Sequence, residues 1–250
     1  MIPKTIHYVW VGDNKPSRFI NNCIKSWMRY FPDFEVKLWS EKIFDVNSNP
    51  FVKAAYESKK WAFVADYLRL YALYTEGGIY FDTDVKVYKR FDDFLYHDIS
   101  LATESMSEDE SKVGVDSGIM GTIPNHPFFK ECLNFYDNLN LNFKELKKDD
   151  WGDIVPAIPV VLSRCLEKYG FDYKNKTTLL NDNIKVYSTK NFGHGFWDNP
   201  KQGYFAVHYY MGSWRETKRG KFYKFCYDND LIHLYHKIQK SIIKIKNFNT

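Results

Sequence analysis

A-D-Y-L-R-L-Y-A-L-Y-T-E-G-G-I-Y-F-D-T-D, residues 65–84, reads as a helix, a stop and a strand that ends on two carboxylates. The helix is apolar and aromatic but carries Asp66 and Arg69, three residues apart and so on one face. Gly77-Gly78 ends it. Ile79-Tyr80-Phe81 is a short buried strand that delivers Asp82 and Asp84 to its end. Carboxylates so close to a core must be paired, hydrogen-bonded or metal-bound. A metal on oxygen ligands, with positions open for phosphate oxygens, suits nucleotide chemistry.

The flanking sequence has the same grammar. Ile6–Val11 is a buried strand broken by Gly12–Pro16. Residues 17–30 have helical spacing, with Phe19, Cys23, Ile24, Trp27 and Met28 on one face. Phe34–Trp39 alternates as a second strand. Strand, helix, strand at the start favours an α/β fold with a mostly parallel sheet and helices on both sides. A helix over 56–76 follows, then the strand into Asp82, with Val85–Tyr88 extended beyond it. Residues 113–122 read as a strand, 124–135 and 155–169 as helices, and 184–187 and 204–209 as strands. Residues 105–112 form a polar loop, and a Gly/aromatic stretch covers 192–197. No repeat or linker divides the chain, so one domain over 1–230 is expected, with a basic helix or tail over 231–250.

Composition narrows the class. The chain has 250 residues, 44% of them hydrophobic and 18% aromatic, enough for one large core. The excess of positive charge lies in the tail, at Lys237, Lys240, Lys244 and Lys246, and the first 230 residues balance. A nucleic-acid surface needs a basic face on the domain itself, so no nucleic-acid partner is expected. The tail helix can cap the domain, or lie on anionic lipid as a peripheral membrane contact. Cys23, Cys132, Cys165 and Cys226 have no C-x-x-C spacing and fit scattered core thiols. No apolar run reaches the roughly 18 residues of a membrane span, and the N-terminus has no signal-peptide pattern. The expected location is cytoplasmic, with any membrane contact at its inner face.

An Asp-x-Asp pattern means little without context. Asp228-Asn229-Asp230 is a second one, with no apolar strand before it, and reads as a turn that caps a helix. Asp82 and Asp84 differ because they end a hydrophobic run. They are either metal ligands or strand-end carboxylates paired by Lys86 or Arg90. Asp66 and Arg69 form either a solvated intrahelical ion pair or a ligand-binding pair beside that strand. His208, after a short strand, is an ordinary strand-end histidine or a third ligand for a borderline metal. Ser213 and Trp214 follow Gly212 and can offer a hydroxyl and an indole N–H to phosphate. Asp116, before Ser117-Gly118, is a turn residue or a carboxylate near a bound ligand.

I-P-K-T-I-H-Y-V-W-V-G at the start, Ser26-Trp27, P-D-F-E-V-K-L-W at 32–39, A-D-Y-L-R at 65–69, Y-T-E-G-G-I-Y-F-D-T-D-V at 74–85 and H-Y-Y-M-G-S-W at 208–214 stand in one order. Together they resemble the DXD-containing glycosyltransferases of family 32, which include capsular-polysaccharide transferases and initiating mannosyltransferases. The dense match covers about the first 90 residues; the middle is less diagnostic. The resemblance implies a GT-A fold, Rossmann-like, and retaining transfer of a sugar from a nucleotide-sugar. It implies that Val9, Trp10 and Gly12 line the nucleotide pocket, with Tyr80 also at the donor. Asp66 and Arg69 would hold the donor sugar and ribose region, and Asp82 the ribose and metal shell. Asp84 would coordinate Mn²⁺ or Mg²⁺, His208 would be a further ligand, and Ser213 and Trp214 would touch the diphosphate and leaving oxygen.

The expected activity is therefore metal-dependent transfer of a hexose or N-acetylhexosamine, from UDP-galactose or a similar UDP-sugar. The expected acceptor is a glycan or lipid-linked oligosaccharide in capsular or cell-surface polysaccharide synthesis. A phosphatase with an aspartate nucleophile also places Asp-x-Asp after an apolar strand, but wants Thr or Val where this chain has Lys86. A non-catalytic nucleotide-sugar-binding module is the other alternative.

Overall fold

The computed structural model describes residues 1–107, 109–139, 157–195, 203–211 and 220–239. The chain opens with β1 (Thr5–Val9), α1 (Arg18–Tyr30) and β2 (Glu35–Trp39). Ser17 caps α1 by accepting the Ile20 N–H. The apolar stripe of α1 buries Phe19, Ile20, Cys23 and Trp27. Met28, expected on that stripe, is instead exposed. It falls at the stripe's edge, beyond the strip of helix that meets the core.

The helix expected over 56–76 is two helices, α2 (Pro50–Glu57) and α3 (Trp61–Glu76). Lys59 between them takes a left-handed φ of 55°, which no helix continues through. α3 stops at Gly77, whose φ is 67°. Gly78 opens β3 (Gly78–Phe81), and a Cβ there would lie 2.6 Å from the Thr5 carbonyl oxygen. The two glycines thus turn the helix into a strand and let that strand lie against β1.

β4 (Val85–Val87), β5 (Ile99–Ser105) and β6 (Val113–Thr122) follow, then α4 (Pro127–Asp137) and α5 (Ile158–Glu167). β7 (Thr178–Leu180), β8 (Ile184–Tyr187), β9 (Phe192–His194), β10 (Ala206–His208) and α6 (Lys221–Asp228) complete the numbered elements, with a further helical segment at 232–239. The large sheet has the order β2-β1-β3-β6-β5-β8-β7. β2, β1 and β3 run parallel, β6 is antiparallel to β3 and β5, and β8 is again parallel to β5. β3 is buried on both faces. Tyr80 packs with α2 to α5 on one side, while Ile79 and Phe81 pack with Trp27 of α1 and with Phe31 just beyond it on the other. This is the expected α/β sheet between helices.

A second sheet has the order β4-β10-β9. Asp82-Thr83-Asp84 is the turn by which the chain leaves the large sheet and enters this small one, closed by the Val85 N–H on the Asp82 carbonyl at 2.9 Å. The C-terminal segment packs back on α1: Ile232 is fully buried with Phe19, Cys23 and Cys226. Among the described helices none is long and apolar enough to cross a membrane. Lys240, Lys244 and Lys246 lie outside the described residues.

Candidate functional site

α3 is largely apolar, and two of its three charged residues, Asp66 and Arg69, are carried inward. The Arg69 side chain is 7% exposed and that of Asp66 13%, which removes the reading of a solvated surface pair. Arg69 Nη2 lies 3.1 Å from Asp66 Oδ1. Arg69 Nη1 lies 3.1 Å from Asp82 Oδ1 and donates to the Ser117 carbonyl oxygen at 3.0 Å. A buried guanidinium needs this number of partners, because desolvating a charge costs several kcal/mol. Burial pushes the Asp66 carboxyl up to about 6, against the pull of Arg69 and with the push of Asp82. Tyr80, expected at the donor, is 1% exposed. Its hydroxyl donates to Asp82 Oδ1 at 2.8 Å and its ring lies under the Arg69 guanidinium. Tyr80 and Arg69 together fix the Asp82 carboxylate.

Neither Lys86 nor Arg90 pairs with Asp82 or Asp84 among the described residues; Arg90 is held by Asp33 and Asp92. His208 comes to the two aspartates instead, because β10 pairs antiparallel to β4 with His208 opposite Val85. His208 Nε2 is 3.3 Å from Asp84 Oδ1 and 3.5 Å from Asp82 Oδ2. One ligand atom from each of the three lies within 4.8 Å of the others. Ligands at the ~2.1 Å of a hexacoordinate Mg²⁺ stand about 3 Å apart when adjacent, so these residues fit a divalent ion with little adjustment. Two carboxylates and an imidazole also suit Mn²⁺. The second Asp84 oxygen accepts the Met211 N–H at 2.6 Å.

Asp116 stands behind His208, with its side chain 1% exposed and Oδ1 2.9 Å from His208 Nδ1. A carboxylate that accepts the Nδ1–H hydrogen bond leaves Nε2 to offer its lone pair to a metal. Asp116 therefore faces the histidine and not an open sugar pocket. Its Oδ1 also accepts the Gly118 N–H at 2.8 Å, and its Oδ2 lies 3.4 Å from His194 Nε2. Burial opposes ionisation of both Asp116 and Asp84, but His208 outweighs it and holds each carboxyl below its ordinary value. His208 is in turn held well above the usual imidazole range: burial opposes its charge, and Asp116 and Asp84 overcome it.

Val9 and Trp10 end β1, and parallel pairing of β1 with β3 brings them out at the same sheet edge as Asp82. Gly12 has φ 88°, lies against the Trp61 ring and gives its N–H to Glu41 Oε1 at 3.3 Å. This corner is the place expected for a nucleotide. Ser213 and Trp214 lie outside the described residues.

Residues 17–101 match a family model described as glycosyltransferase sugar-binding region containing DXD motif. Over that span the chain is similar to the DXD-containing sugar-binding regions of glycosyltransferases. It is 26% identical over 224 residues to inositol phosphoceramide mannosyltransferase 2 of Schizosaccharomyces pombe, which covers 88% of this chain and 60% of the relative. It is 28% identical over 137 residues to mannosyl phosphorylinositol ceramide synthase SUR1 of Saccharomyces cerevisiae, covering 53% of this chain and 34% of the relative. The chain thus spans less than two thirds of the length of these curated relatives. A solved structure, the PaToxG glycosyltransferase, aligns at a TM-score of 0.48 and 19% identity over 67% of this chain and 69% of that one.

The sugar-binding region holds Asp66, Arg69, Asp82 and Asp84, while His208 and Asp116 reach the site from outside it. Three further neighbours had no signal in the sequence. Tyr210 packs 4.0 Å from His208, centroid to centroid, and stacks with His194. Its hydroxyl donates to Glu104 Oε2 at 2.6 Å. Each comes from a different strand or strand end, so no local pattern links them to Asp82.

Proposed function

We propose that this protein is a retaining glycosyltransferase that moves a hexose from a nucleotide-sugar to a hydroxyl of a glycan or lipid-linked acceptor. The observation that carries this reading is the cluster of Asp82, Asp84 and His208 at the turn between the two sheets. Bound there, Mn²⁺ or Mg²⁺ would supply a Lewis acid for the charge that develops on the leaving diphosphate. Asp84 and His208 would hold the ion, and Asp116 would keep the His208 imidazole in the ligating tautomer. Arg69 and Tyr80 orient Asp82 toward the ion and the ribose. Asp66 and Arg69 read the donor sugar, the nucleoside sits against Val9, Trp10 and Gly12, and Ser213 and Trp214 meet the diphosphate. One catalytic domain over 1–230 does this work, with 231–250 as an appended tail.

The mannosyl transfer for which these relatives are named puts mannose first among the sugars to be tried, ahead of UDP-linked galactose or N-acetylhexosamine. The test is a panel of nucleotide-sugars read by UDP or GDP release, with and without Mn²⁺. One donor is expected to be turned over, with activity lost in chelator and restored by Mn²⁺. Asp84→Asn should lower that rate at least about a hundredfold, the scale for removing a group that stabilises transition-state charge, while circular dichroism stays unchanged. Full activity of the variant, or in chelator, would remove the metal role. A donor that binds by calorimetry but never turns over would make the protein a binding module.

A further inference from the structure

Glu104 and Tyr210 flank the metal cluster on the side away from the nucleotide corner, and the donor chemistry above uses neither. In the strand order β2-β1-β3-β6-β5, the donor residues leave from β1 and β3, whereas Glu104 stands near the end of β5. Adjacent strands are about 4.8 Å apart, so β5 lies roughly 10 Å across the sheet from β3. The ion cluster sits where β3 ends, and Glu104 stands two strands away across the sheet, beyond β6.

Tyr210 has φ 48°, a left-handed conformation that a bulky residue adopts only when its surroundings hold it there. Those surroundings are His208 and His194 at its ring and Glu104 at its hydroxyl. Despite these contacts Tyr210 remains 39% exposed. Glu104 is half-buried and accepts no other hydrogen bond among the described residues. A partly exposed tyrosine beside a carboxylate with spare acceptor capacity suits a polyhydroxylated ring. The C–H face lies on the aromatic, and ring hydroxyls donate to the carboxylate.

We propose that Tyr210 and Glu104 form the acceptor subsite, binding the terminal sugar or cyclitol ring whose hydroxyl receives the transferred hexose. The proposal rests on the glycosyl-transfer reading.

The test is steady-state kinetics on the full chain with Mn²⁺ and the donor selected by the panel. p-Nitrophenyl glycosides and free myo-inositol serve as acceptor probes, and which of them stimulates nucleotide release separates a sugar ring from a cyclitol. Tyr210→Ala should raise the acceptor KM about tenfold and Glu104→Gln several-fold, while donor KM and the Mn²⁺ requirement stay within about twofold. Tyr210→Phe keeps the ring and should retain most acceptor affinity. An unchanged acceptor KM in Tyr210→Ala and Glu104→Gln overturns the assignment. So does a rise in donor KM or Mn²⁺ requirement that matches the acceptor effect, because the pair would then only brace His208. A wild-type protein that releases no nucleotide from any donor overturns the transfer reading and this assignment with it.

Discussion

Gly118 decides whether His208 can stand beside the aspartates. A Cβ on Gly118 would lie 2.5 Å from His208 Cε1 and 3.1 Å from Asp82 Oδ2. The same residue receives Asp116 on its N–H and gives its carbonyl to the Asp82 N–H at 2.9 Å. Gly118→Ala must therefore displace His208, because a Cβ 2.5 Å from the ring is closer than side chains pack. Groups that orient metal ligands typically carry 10- to 100-fold in metal affinity. The Mn²⁺ concentration that half-saturates nucleotide release should rise in this variant by about tenfold or more. An identical Mn²⁺ titration in wild type and variant would show that His208 contributes nothing to the ion. In the sequence, Asp116-Ser117-Gly118 was visible as a motif, but its partner is 92 residues away at His208. No spacing rule connects the two.

At the scale of elements, the turn from β3 into β4 must be held against α1 if Asp84 and His208 are to meet. Trp27 does this: it is fully buried and its Nε1 donates to the Val85 carbonyl oxygen at 2.8 Å, one residue beyond Asp84. Trp27→Phe keeps most of the apolar volume but leaves that carbonyl without its partner. The expected loss is about 1–3 kcal/mol of unfolding free energy, the usual cost of stranding a buried acceptor. Urea denaturation measures it, and a change below a few tenths of a kcal/mol would show that the bond does not hold β4. Trp27 was legible as a core residue from helical spacing; its indole N–H was not. The strands β5, β7 and β9 also escaped the sequence reading. β5 is buried along most of both faces, so I-S-L-A-T-E-S shows no clean alternation. β7 and β9 have only three residues each, and β9 contains a glycine. Glu104 and His194 lie on β5 and β9, which is why they were missed at the site.

Across the whole molecule, His7 ties three parts of the fold at one buried point. Its Nδ1 accepts from Trp39 Nε1 at 3.0 Å and its Nε2 donates to the Gly77 carbonyl at 2.8 Å. It thereby joins β1 to β2 and to the stop that ends α3. Burial lowers its pKa below the ordinary 6.5, partly offset by the bond to Gly77. The folded state therefore excludes a proton that the unfolded chain binds. This contribution to stability is full above about pH 6.5 and is lost as pH falls through that value toward the depressed folded pKa. His208, with its raised value, runs the other way, so the difference between wild type and His7→Gln isolates the effect. Denaturation midpoints at pH 7.5 and 5.5 should fall more in wild type than in the variant. Parallel falls would remove His7 as the cause.

The sequence by itself determined the helix–glycine–strand unit at 65–84, the α/β class and the resemblance that named Asp82 and Asp84. These depend on local periodicity, on the backbone freedom of Gly77-Gly78 and on a motif whose members are two residues apart. It left open whether Asp66 and Arg69 faced water, whether His208 was a ligand and what Asp116 was for. Only the tertiary structure decided where these side chains stand. α3 buries the face that carries Arg69, β10 pairs with β4 rather than with the large sheet, and β6 passes His208 at a glycine. The physical reason is that a buried charge takes its position from whichever partners satisfy it. Here those partners come from strands and a helix that the chain brings together only on folding.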